Sequence, residues 1–68
     1  MITTLAILLY LGQIFGSAQY TPEQIDSIIQ ANQDDINLVE QNQSLVNSIN
    51  VQYDSTAVIV YTNSNLKP

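Results

Sequence analysis

Asn42-Gln43-Ser44 is an Asn-x-Ser triplet without proline, the acceptor pattern for an N-linked glycan in a eukaryotic secretory pathway. Asn42 is therefore a candidate modification site, against the blander reading of a polar helix position in a chain rich in Asn and Ser. Asn32, Asp34, Asp35 and Asn37 crowd oxygen-bearing side chains into a short stretch. An EF-hand calcium loop wants oxygen ligands at its first, third and fifth positions, glycine at the sixth and glutamate at the twelfth. Counted from Asn32, the last three of these places hold Ile36, Asn37 and Gln43, so the pattern fails. A solvated helix face or kink is expected there, with no metal site and no cofactor.

Nothing else in the chain is equipped for catalysis. There is no Cys and no His, and Lys67 is the only basic side chain. Serine and threonine hydroxyls thus lack a base to activate them, and the carboxylates have no second domain with which to form a cleft. An enzyme is not expected. One Lys against six acids gives a formal charge of −5, which cannot neutralise a phosphate backbone, so nucleic acid is excluded as a partner. The same charge opposes membrane lysis by a cationic face, and a single Lys permits no internal dibasic processing.

The remaining chemistry is done to the chain rather than by it. Gly16 and Ala18 are small residues at the −3 and −1 positions of a cut between Ala18 and Gln19, the pattern a signal peptidase accepts. A cut one residue earlier would put Phe15 at −3. Ahead of the site runs the apolar stretch Leu5-Ala6-Ile7-Leu8-Leu9-Tyr10-Leu11, interrupted by Gly12-Gln13. The n-region lacks Lys and Arg, leaving the α-amino group as its positive charge. Residues 1–18 read as a signal peptide and residues 19–68 as the mature acidic peptide, starting at a Gln able to cyclise to pyroglutamate. The product is expected to be secreted, touching the membrane only transiently.

The leader has two rival readings. A retained anchor over residues 2–18 would extend roughly 26 Å against a hydrocarbon core of ~30 Å, with no Lys or Arg behind it as a stop-transfer anchor. A buried core helix would need a large partner domain that the chain lacks.

The elements behind the leader follow from capping and periodicity. Thr21-Pro22-Glu23-Gln24 carries a cap, a first-turn proline and a capping-box glutamine, so a helix starts here. Ile25, Ile28, Ile29, Ile36, Val39 and Val46 then trace one face, which predicts an amphipathic helix over about residues 22–48, bent or split near 32–35. That face is the candidate interaction surface. As a coiled-coil seam it is poor, because Asp35 and Asn42 fall on the second heptad row.

Residues 49–53 alternate apolar and polar, and residues 57–61 are β-branched and uncharged. With Asp54-Ser55-Thr56 between them they predict a short β-hairpin, although no Gly serves its turn. Val58, Ile59, Val60 and Tyr61 form a candidate strand-pairing segment. Residues 62–68 read as a frayed polar tail.

The expected fold class is mainly α, with an apolar N-terminal helix, one amphipathic helix and a small hairpin. The mature part should be marginally stable or partly disordered. The expected function is that of a small secreted acidic polypeptide, of seminal, salivary, venom or cuticle type. It would bind an unknown protein partner or self-associate in an extracellular assembly. The alternative is a small single-pass membrane subunit.

Overall fold

The apolar run Leu5–Leu8 becomes the centre of the molecule. In the computed structural model, which describes residues 1–66, the chain forms four helices: α1 (Ile2–Tyr10), α2 (Pro22–Ala31), α3 (Gln33–Glu40) and α4 (Gln43–Asn63). The protein is mainly α-helical, with no strand among the described residues. Leu5, Ala6, Ile7 and Leu8 are each 0% exposed. Successive helical residues turn by about 100°, so four consecutive buried positions mean that α1 is covered on nearly every side. Its main cover is α4, with α3 beside it. The large partner that a buried helix demands is thus supplied within the chain itself.

Gly12 ends α1. It adopts φ +74°, a conformation open to glycine without steric cost. Gly12 N–H donates to the Leu9 carbonyl at 3.1 Å and Gln13 N–H to the Leu8 carbonyl at 2.9 Å. These are the paired bonds of a Schellman motif, which turns the chain away from the helix axis. Gly16 then passes close to α4. A Cβ built on Gly16 would sit 2.5 Å from Thr56 Cγ2, closer than any side chain tolerates.

The start of α2 follows the sequence expectation in detail. Thr21 Oγ1 accepts from Gln24 N–H at 3.1 Å, and Gln24 Oε1 accepts from Thr21 N–H at 2.9 Å. The break expected near 32–35 falls at Asn32, whose Nδ2 donates to the Ile28 carbonyl at 2.8 Å and whose backbone leaves the helical region. A second break, not expected, falls at Gln41–Asn42. The predicted helix over 22–48 is therefore α2, α3 and the first turns of α4.

The β-hairpin over 49–53 and 57–61 does not form, and the turn triplet Asp54-Ser55-Thr56 lies inside α4. Alternation over five residues is compatible with a longer helical period. Val46, Ile49, Ala57 and Val60 are the buried residues of α4, with Tyr53 and Thr56 half-buried between them. That face meets α1, and tertiary packing overrides the β-propensity of Val58-Ile59-Val60-Tyr61. No Gly or Pro interrupts Gln43–Asn63, so no local feature opposes the helix.

The expected frayed tail is ordered through Leu66. Asn65 takes φ 56°, its N–H donates to the Thr62 carbonyl at 3.2 Å, and Leu66 N–H donates to the Tyr61 carbonyl at 3.2 Å. This second Schellman motif tucks Leu66 into the core at 8% exposure. The rest of that tail, Lys67 and Pro68, lies outside the described residues. A radius of gyration of 11.0 Å is that of a packed domain of this length.

Gly16→Ala should lower the stability of the full chain by about 1–3 kcal/mol, because Thr56 is held by a stiff β-branched rotamer on a helix. Thr56→Ser removes the clashing methyl and should recover most of the loss. Denaturant unfolding of the two single variants and the double variant measures this coupling; additive losses would show that the two residues do not meet.

Candidate functional site

The cut position lies in the irregular loop of residues 11–21 between α1 and α2. Ser17 and Gln19 are exposed and Ala18 is half-buried. The loop is braced at both ends of this stretch. Phe15 N–H donates to the Tyr20 hydroxyl at 2.9 Å, and Tyr20 N–H donates to Ser64 Oγ at 3.0 Å, beyond the end of α4. Exposed loops of this kind are where proteases find extended backbone. Gly16, the −3 residue, also has a packing reason to be small, its approach to Thr56.

The candidate interaction face is divided among three helices. Ile25, Ile36, Val39 and Val46 are buried in the core, while Ile28 and Ile29 are half-buried. In the full chain most of this face therefore holds the helices together. The segment Val58–Tyr61 offers no edge. Val60 is 0% exposed, Tyr61 is half-buried, and Val58 and Ile59 point outward from a helix whose backbone groups are already paired. As a helix, the segment presents no strand edge in the full chain.

Asn42 is exposed and caps α4. Its backbone is extended (φ −111°, ψ 94°), and its Oδ1 accepts from Leu45 N–H at 3.2 Å. The cap engages Oδ1 and does not call on Nδ2, the atom a glycan would join. Asn42 is a preferred N-cap residue, and the amphipathic period that runs through it on both sides masks this signal in the sequence.

The oxygen-rich stretch is dispersed. Asn32 holds the α2–α3 break, Asn37 Oδ1 accepts from Gln33 Nε2 at 2.9 Å, and Asp34 and Asp35 are exposed in the first turn of α3. There the two carboxylates favour the positive end of the helix dipole. Among the described residues no group of three acidic, His or Cys side chains converges. A shallow groove of about 390 Å³ runs along α2, lined by Tyr20, Glu23, Gln24, Ser27 and Ile28. Glu23 is its single carboxylate.

Asn42→Asp keeps an acceptor at the cap and should leave helicity unchanged, whereas Asn42→Ala should cost about 0.5–2 kcal/mol. If Asn42 carries a glycan in eukaryotic secretion, both variants should run at the mobility of the glycosidase-treated parent. Unchanged mobility of the parent on that treatment counts against the modification.

No protein-family model, curated protein or solved structure matches the chain, so its functional reading rests on its own residues.

Proposed function

We propose that this chain encodes a small secreted acidic polypeptide that is not an enzyme and acts by contact with another protein or with copies of itself. Residues 1–18 deliver it to the secretory pathway, and residues 19–68 are the product. The observation that carries the reading is the small-x-small site Gly16-Ser17-Ala18, in the loop that follows a charge-free apolar helix, with Ser17 and Gln19 exposed at the cut. The absence of Cys and His from the sequence leaves its hydroxyls without a base to activate them, which favours a binding role over a catalytic one. A seminal, salivary, venom or cuticle-type secretion suits the composition.

The alternative, a single-pass subunit anchored by residues 2–18, has less support. Gly12 ends α1 after nine residues, about 14 Å of helix against a ~30 Å hydrocarbon core. No helix among the described residues is long and apolar enough to cross a membrane.

Secretory cells expressing the full chain with a C-terminal tag should release tagged material whose mass begins at Gln19 or its pyroglutamate form. Ala18→Tyr, which places a bulky side chain at −1, should block that cut. Intact chain recovered solely from alkali-resistant membranes would overturn the reading in favour of the anchored one.

A further inference from the structure

α4 is built to lie against an apolar helix, and the cut after Ala18 would take that helix away. In the uncut chain α1 covers α4 with Leu5–Leu8, all 0% exposed. Opposite them Ile49, Ala57 and Val60 are at most 1% exposed, and Tyr10 meets Tyr53 edge-to-face with ring centroids 6.4 Å apart. Loss of residues 1–18 would bare this face over more than three helical turns. Exposed apolar area on that scale is costly in water and marks an interaction surface.

The spacing and charge of the face select its occupant. Val46, Ile49, Tyr53, Thr56 and Val60 follow each other in steps of three, four, three and four, the heptad seam of a helix pair. Asp54 is the one charged residue of α4 and is exposed, away from the seam. Ala57 beside the seam lets a second backbone come close. The replacement must be a helix with no carboxylate on its contact face. Among the described helices that survive the cut, α2 and α3 already turn Ile25, Ile36 and Val39 into the core and carry five of the six acids on their exposed faces. Only α4 is nearly free of charge, and in a second copy it presents the same seam. A two-fold pairing of α4 on α4 then keeps the acids of both chains off the contact, where like charges would repel.

We propose that removal of residues 1–18 turns the α1-covered face of α4 into a self-association surface, through which two copies of residues 19–68 pair along Val46, Ile49, Tyr53, Thr56, Ala57 and Val60. The inference rests on the secretory reading above and adds the partner, a second copy of this chain.

The test uses material secreted from the full-length gene. Its mass is read by spectrometry, its oligomeric state by light scattering over a range of concentrations, and its helicity by circular dichroism. A dimer of the 19–68 product is expected, with Ala57→Glu weakening it at least tenfold and Asp54→Asn leaving it intact. The uncut Ala18→Tyr chain should be a monomer, because α1 already fills the face. A cut product that is monomeric, or that carries a different protein in stoichiometric amount, overturns the inference and leaves the secretory reading standing. So does an assembly indifferent to Ala57→Glu. Recovery of intact chain alone overturns the secretory reading, and the inference with it.

Discussion

The burial of α1 against α4 is the constraint on which the rest of the molecule depends. A charge-free helix of nine residues is too short to be stable alone in water, so it persists only where packing holds it. α4 is equally dependent, since its β-branched residues have modest helix propensity and need a partner for their inner face. Each helix is the other's reason to exist. α2 and α3 complete the enclosure with Ile25, Ile36 and Val39, and they carry most of the acids outward. A chain with six acids and almost no bases gains little from ion pairing, which leaves apolar packing and caps as the main sources of stability.

Much of this was legible locally. The capping box at Thr21 and Gln24, the break in the polar run Asn32–Asp35 and the interruption at Gly12 all involve chemistry confined to one turn, and local chemistry can be read from neighbours in sequence. The expected hairpin gives way to helix for a non-local reason. Ile49-Asn50-Val51-Gln52-Tyr53 alternates, yet Ile49, Tyr53, Ala57 and Val60 also sit on one helical face, and five residues cannot separate the two periods. What separates them is the presence of α1. Without residues 1–18 the chain lacks the partner that makes the helical period meaningful. The candidate site was affected likewise, because the face from Ile25 to Val46 looked free only while its own chain was not folded around it.

Two asparagines show how little is needed to divide one amphipathic pattern into three helices. Asn32 and Asn42 each offer a side-chain hydrogen bond that competes with the continuing helix, one to the Ile28 carbonyl and one from Leu45 N–H. The breaks let the chain change direction, so that α3 and α4 both pack on α1 while α2 packs on α3, which one straight helix could not do. In contrast, one buried acceptor, Asn50 Oδ1, has no hydrogen-bond partner among the described residues. Such a group weakens α4 by roughly 1–3 kcal/mol relative to a satisfied one.

The pairing of the first helix with the last also has a consequence in time. α1 leaves the ribosome first, and α4 is completed only after some 50 further residues. At about 5–20 residues per second, that interval lasts several seconds. Throughout it Leu5–Leu8 have no α4 to cover them, and an apolar helix without cover is what a targeting factor recognises. On the proposed secretory reading, the same segment would be a sorting signal early in synthesis and, where it escapes capture, a core helix late. A topology of mostly local contacts would close sooner and hide such a signal; placing the partner at the opposite end keeps it open.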